Sequence, residues 1–349
     1  MTARLEGTHR LRYTIAAEAQ HAVDVPELGH QLSQQVKLFL PHDGYMLAGL
    51  DPLGDATCFF TAEGGYSIGF NNRLEEADSL GDEPHPFAQL LRGPARVGVL
   101  NTSSTAHRDS LRLRGMVAED FGSEMRIALA ASGYALGALV LLRRRDTKPF
   151  SSADTARAEG LSAPLAEAVR RFMARQALRP SRLTLPTGVV VIGPDDTIRS
   201  VTPTVWDWLR LLSAVAPVAV GKLERTENLR YVTRNISLLA RRARRPVTSR
   251  IATRDGWVSV QGQPLGGEES GTVVVTYQQA TAATLLPSLS AWCGITSREQ
   301  TVLGLLLQGM PTKRLARKLD LSPHTVNDHL KAIYRKVGAS GRDELVASF

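Results

Sequence analysis

Apolar residues recur at helical spacing near the start and the end of this chain and alternate like strands between them. Leu28, Leu32, Val36 and Phe39 mark one side of a helix over about 26–40. Asp24 with Glu27 forms a capping-box pattern at its start, and Pro41 ends it. An earlier helix is expected over about 6–22. Strand patterns follow at 45–50 and 56–61, joined by the turn Asp51-Pro52-Leu53-Gly54. Further on, a short helix near 86–91, a strand at 97–100 and a helix near 108–117 are expected. The run 127–142 is almost wholly apolar, bounded by Arg126 and Arg143 and interrupted by Ser132-Gly133. It is shorter than the ~18 residues of a membrane span and reads as a hairpin. A long helix from about 152 to 177 opens on "SSAD", with a kink expected at Pro164. Residues 1–178 thus read as an α+β domain.

The segment "LRPSRLTLPT", residues 178–187, carries two prolines and reads as a linker. The pattern then restarts. Strands are expected at 188–192 and 197–201, and Trp206, Leu209 and Leu212 line a helix. A basic helix covers 227–244. Strands at 247–253, 257–264 and 272–278 follow. Residues 187–279 read as a second, smaller α+β domain, with 280–294 connecting it to the C-terminal segment.

In that segment Thr296 and Glu299 make a T-x-x-E capping box ahead of Val302, Leu303 and Leu306. Gly309 and Pro311 stop the helix. A short helix at 312–319 offers Leu315, Ala316 and Leu319, and Asp320-Leu321 is a tight connection. Ser322 then caps a helix with Pro323 in its first position. Val326, Leu330, Ile333 and Val337 share one side of this helix, while its early exposed turns carry Thr325, Asn327, Asp328 and Lys331. A last helix at 342–349 supplies Leu345, Val346 and Phe349. Two short helices around a tight turn, the second polar on its outer face, form a helix-turn-helix. Its second helix can enter a major groove. Short polar groups permit close approach to base edges, and Lys331 supplies a donor.

Charge sharpens this picture. The formal net charge of the 349-residue chain is +8. From residue 295 onward nine cations face five acids, so half of that excess sits in the last sixth of the chain. Double-stranded DNA is the partner such a segment fits. Only two cysteines, Cys58 and Cys293, occur. That excludes a disulfide framework or a cysteine-rich zinc site and suits a reducing cytoplasm. The N-terminus leads into no apolar signal core.

The stretch "ITSREQTVLGLLLQGMPTKRLARKLDLSPHTVNDHLKAIYRKVGASGRDELVA" resembles the LuxR/NarL-type helix-turn-helix of bacterial transcription regulators. The resemblance covers residues 295–347. It implies that the helix around 323–336 is the recognition helix, with Asn327, Asp328 and Lys331 facing bases. It also implies phosphate contacts from Lys313, Thr325 and Arg335, and dimerisation through the last helix. Asn327 stands where Lys is frequent in the family and Arg314 where Glu is frequent, so an operator preference does not carry over. Residues 1–178 resemble a GAF-like sensor domain. Residues 187–279 resemble a PAS-like one, on "GVVVIGPDDTIRSVTPTVWDWL" and "RIATRDGWVSVQGQPL". The fold class expected is therefore multidomain: α+β GAF-like, α+β PAS-like, and an all-α C-terminal helix-turn-helix.

The implied protein is a cytoplasmic regulator acting as a homodimer, controlled by a small molecule or partner at its N-terminal domains, with RNA polymerase a further candidate partner. No cofactor, metal or membrane partner is expected, and no catalysis. No nucleophile, base and orienter come together in the sequence, and no G-x-x-x-x-G-K-[ST] loop occurs. Two rival readings are a sigma-factor-like promoter-recognition protein, which the strand-rich middle opposes, and a sensor bearing haem or another chromophore. The run Arg241, Arg242, Arg244 and Arg245 reads as a solvated face or a domain contact ahead of an extra DNA contact, and Arg143–Arg145 as surface. Cys58 reads as a buried small hydrophobe and His42-Asp43 as turn chemistry.

Overall fold

The computed structural model describes residues 22–347, apart from 55, 68, 72, 75–76, 78–82, 104–106, 177–183, 214–224, 254 and 267–270. The helix expected over 6–22 lies almost wholly outside the described residues.

The N-terminal unit is a five-stranded antiparallel sheet in the order β2-β1-β5-β4-β3. Its strands are β1 (Gly44–Leu50), β2 (Thr57–Glu63), β3 (Val97–Asn101), β4 (Phe121–Ala131) and β5 (Tyr134–Arg144). The apolar run 127–142 is the β4–β5 hairpin, turning at Ser132 and Gly133, both in the left-handed region. One face of the sheet is covered by α1 (Val25–Lys37) and by the later helix α5 (Ser162–Gln176). Leu28, Leu32, Leu165, Val169 and Phe172 there bury Leu47, Ile127, Leu139 and Leu141. On the other face Met46, Val140 and Leu142 pack with Leu113, Met116 and Phe70. That side carries α2 (Phe87–Arg92) and α3 (Leu111–Ala118).

Asp24 caps α1 by accepting from Glu27 N at 3.0 Å. The return bond of the box is displaced, however: Glu27 Oε2 takes Val23 N, at 2.8 Å. The long helix expected over 152–177 is two helices, α4 (Ser152–Glu159) and α5. Pro164 causes no mid-helix kink. It sits in the first turn of α5, where a missing N–H costs nothing, and the break falls before it at Gly160-Leu161. Ser151 and Asp154 complete a reciprocal capping box at the start of α4.

Arg143 is not a surface residue. It is buried, donating to Pro41 O at 2.7 Å and Lys148 O at 3.0 Å, with Asp154 at 3.4 Å. Its guanidinium lies over Phe150. Strand pleat is the reason: Arg143 and Arg144 point to opposite sides, and only Arg144 is exposed. Cys58 is buried, as expected. His42 is buried too, with Ser33 Oγ 2.9 Å from Nε2 and Leu40 O 2.7 Å from Nδ1.

The second unit repeats the plan. Its sheet runs β7-β6-β10-β9-β8, again second, first, fifth, fourth, third in chain order. The strands are β6 (Gly188–Ile192), β7 (Ile198–Val201), β8 (Val247–Thr253), β9 (Gly256–Pro264) and β10 (Val273–Gln279). The helices α6 (Val205–Ser213) and α7 (Arg225–Ala243) supply Trp208, Leu209, Leu212, Ile236 and Ala240 to one core with Val190, Val258, Val260 and Val275. Trp208, rather than Trp206, is the central aromatic, fully buried with Nε1 donating to Pro186 O at 2.9 Å. Arg241 is not simply solvated. It donates to Gly271 O and Gly193 O and pairs with Asp196, tying two loops to α7. Arg242, Arg244 and Arg245 are exposed.

Residues 280–294, read as a connection, hold the helix α8 (Ala282–Cys293), capped by Thr281 and ended by Gly294 at φ 65°. Pro287 lies inside it. Leu285, Leu289 and Trp292 of α8 join the core of the N-terminal unit to that of the C-terminal helices. Those helices are α9 (Ser297–Leu307), α10 (Thr312–Leu319), α11 (Pro323–Val337) and α12 (Arg342–Ala347). Among the described residues no helix is long and apolar enough to cross a membrane, and no group of three or more metal-ligating side chains occurs.

A junction ties the units together. Asp51, fully buried at the end of β1, receives Arg250 NH1 of the second unit at 2.7 Å and Ser288 Oγ of α8 at 2.9 Å. Arg250 Nε also donates to Thr284 O. Nearby, Ser249 Oγ donates to Thr57 O at 2.7 Å and Thr57 N to Asn235 Oδ1 at 3.2 Å. Trp257 of β9 stacks on Trp292 of α8 with ring centroids 5.3 Å apart, and its Nε1 donates to Gln176 O of α5.

Candidate nucleic-acid interface

The C-terminal helices are built around Val302, Leu303, Leu306, Leu315, Val326, Leu330 and Ile333, each 5% exposed or less. Periodicity decides this: on α11 the buried residues are Val326, Leu330, Ile333 and Val337, which share one face at 3.6 residues per turn. The opposite face is free to be polar.

Local chemistry sets each end. At the start of α9, Thr296 Oγ1 accepts from Glu299 N, and Glu299 Oε2 accepts from Thr296 N at 2.7 Å. The same carboxylate takes Lys336 Nζ of α11 at 2.6 Å, clamping α11 to α9. Burial opposes ionisation of Glu299. The Lys336 ammonium and the Thr296 N–H and hydroxyl outweigh it and hold the carboxyl below the usual range. Stability from this clamp should therefore be complete above the unfolded carboxylate value of about 4.3 and fall as pH drops through the lower folded value. Acid titration of unfolding should show that loss in the wild type and a flatter acid limb in Glu299→Gln. An unchanged limb in the variant would refute the assignment.

The turn between α10 and α11 uses Asp320 at φ 52°, in the left-handed region that short polar residues tolerate. Ser322 Oγ then accepts from Thr325 N at 3.0 Å, and Pro323 takes the first helical position.

On the outer face of α11, His324, Asn327, Asp328, Lys331 and Arg335 are all exposed. Asn327, Lys331 and Arg335 follow at intervals of four and form one line along the helix. Asp328 Oδ2 lies 3.0 Å from His324 Nδ1. Lys313 is exposed near the start of α10, together with Arg314, Arg317 and Lys318. Thr325 stands apart from the other five expected contact residues: it is half-buried and its hydroxyl lies 2.9 Å from Ser322 Oγ. Of the remaining cations, Lys336 is engaged by Glu299, Arg298 donates to Leu319 O and Arg342 to Met310 O. Sequence reasoning missed these three structural roles, because each partner lies more than twenty residues away. Arg314, Arg317 and Lys318 of α10 are exposed too and were legible only as charge.

The family model of bacterial regulatory proteins, luxR family, matches residues 294–349. MalT of Yersinia pestis, an HTH-type transcriptional regulator, is 34% identical over 61 residues, covering 18% of this chain and 7% of MalT. A Mycobacterium bovis protein named as an HTH-type transcriptional regulator, Mb0914c, is 38% identical over 55 residues, covering 16% of this chain and 6% of that protein. The chain thus spans under a tenth of the length of these curated relatives. Among solved structures, Escherichia coli SdiA superposes with TM-score 0.36 at 14% identity, over 97% of this chain and 94% of SdiA. The GAF domain/HD domain protein of Geobacter sulfurreducens gives TM-score 0.31 at 20% identity, over 46% and 97%. Scores of this size do not define a shared fold. The C-terminal domain is a LuxR-type helix-turn-helix.

Proposed function

We propose that the chain is a sequence-specific, promoter-binding transcription regulator working as a homodimer, with two sensory units ahead of its DNA-binding domain. The N-terminal unit, residues 1–178, is taken as GAF-like and residues 187–279 as PAS-like. Both respond to a small molecule or partner, and RNA polymerase is a candidate partner at the promoter. The observation carrying this reading is the outer face of α11: polar, cationic and exposed, on a helix whose opposite face is packed and whose ends are capped. Asn327, Asp328 and Lys331 are assigned to base edges, and Lys313, Thr325 and Arg335 to phosphates.

Binding to a randomised operator library tests the assignment. Asn327→Ala and Lys331→Ala should each cost about 1–3 kcal/mol and relax preference at one position. Lys313→Ala and Arg335→Ala should weaken all sequences alike and lower the salt slope by roughly one. The reverse pattern would mean that α11 is wrongly oriented. A dimer is favoured because one helix-turn-helix reads only a few base pairs. Val346, 40% exposed on the short α12, offers a small apolar contact for it. Sedimentation showing a monomer at micromolar concentration, with and without operator DNA, would contradict the dimer.

A further inference from the structure

The face of the N-terminal sheet that looks away from α1 and α5 is incompletely filled. Ala48, Ala138 and Ala128 are register partners across three adjacent strands, so small side chains occupy the middle of that face. Over Ala48 and Ala138 opens a cleft of about 810 Å³, within the range of small-molecule sites. Met46, Ala48, Ala138 and Val140 line its floor, and Phe87 and Leu91 of α2 one wall. Its other wall is not part of the same unit. Asn235, Leu239 and Arg242 of α7, together with Val247 and Ser249 of β8, complete it.

The charges lining this cleft are unequal. Among the described residues, Arg92, Arg126, Arg242 and Arg245 line it, against the one carboxylate of Glu124. That carboxylate is already neutralised, with Arg112 NH1 at 3.1 Å and Arg126 Nε at 2.9 Å, and it also accepts from Tyr66 OH. Arg242 and Arg245 stand exposed on the second unit, and Arg92 on the first. An apolar floor with a cationic rim suits a molecule with an apolar body and an anionic end.

We propose that the two N-terminal units share one ligand site, and that it takes an amphipathic anion whose apolar body lies on the alanine floor and whose carboxylate or phosphate meets Arg242 and Arg245. This rests on the reading of those units as sensors. A ligand held by both walls draws them together, and the Asp51–Arg250–Ser288 junction connects that movement to α8, on which the DNA-binding helices pack.

The test uses the full chain without DNA, with decanoate and decan-1-ol as probes in calorimetry and thermal melting. Decanoate should bind and raise the melting temperature, and decan-1-ol should bind about tenfold more weakly, the scale of a hydrogen bond to a charged group. The double variant Arg242→Gln/Arg245→Gln should lose that preference while keeping its affinity for the alcohol. Ala138→Leu, which fills the floor, should weaken both probes. The proposal fails if decanoate does not bind, if the alcohol binds as well, if the double variant keeps the preference, or if Ala138→Leu binds both probes unchanged. Operator affinity of the unliganded chain is measured separately by fluorescence anisotropy. Its absence would sink the regulator reading without bearing on the cleft.

Discussion

Asp51→Ala should destabilise the chain by about 3–5 kcal/mol, the usual cost of removing one partner of a buried ion pair. The reason is the geometry around the carboxylate. Asp51 is fully buried, and the side chain of Arg250 is 11% exposed. Without Asp51 that guanidinium keeps Thr284 O but loses its counter-charge, and Ser288 Oγ loses its acceptor. Asp51→Asn, which keeps an acceptor for Ser288 but no charge, should fall between the two. The junction joins the first unit, the second unit and α8, so the loss should appear as separation of unfolding transitions. Denaturant unfolding followed by tryptophan fluorescence is suited to this, because Trp257 and Trp292 stack across the same seam. A loss in Asp51→Ala below about 1 kcal/mol, the level of an exposed pair, would show that the pair is solvated.

The second large effect belongs to the C-terminal helix-turn-helix. Ile333→Ala should cost about 2–5 kcal/mol, as truncations of fully buried aliphatic side chains do. Ile333 is wholly buried under α11 among Val326, Leu330 and Val337. Its loss loosens the helix that presents Asn327 and Lys331, so operator affinity should fall with stability. Asn327→Ala, at an exposed position, should leave stability within about 0.5 kcal/mol and change DNA binding alone. Thermal unfolding by circular dichroism and anisotropy on the same samples separate the two cases. Equal effects of both variants on stability would place Asn327 in the core, contrary to its exposure.

Different parts of the molecule were legible in the sequence to different degrees, and the physical range of the interactions explains the pattern. The C-terminal helices were readable nearly to the residue because their determinants are local. Thr296–Glu299 and Ser322–Thr325 are three apart, the buried face of α11 recurs every turn, and Pro323 and Gly338 mark its ends. The β4–β5 hairpin was legible for the same reason, because Ser132-Gly133 breaks an apolar run too short to span a membrane. The outer face of α11 is therefore legible in the sequence as a candidate site.

What depends on distant partners could be decided only by the tertiary structure. Arg143 and Arg241 look like surface charge in the chain, yet each is held by carbonyls and a carboxylate from other segments. Lys336 belongs to Glu299, thirty-seven residues away, rather than to DNA by default. Residues 280–294 read as a connection; burial of Leu285, Leu289 and Trp292 makes most of them a structural helix, with Pro287 inside it. The cleft and the Asp51 junction have no sequence signature at all. Each joins side chains separated by over a hundred residues, and a local pattern carries no record of which distant surface will close over it. By itself, then, the sequence determined the individual elements, their caps and the presence of a helix-turn-helix whose second helix is polar on its outer face. Long-range packing determined which charges are spent on holding the structure together.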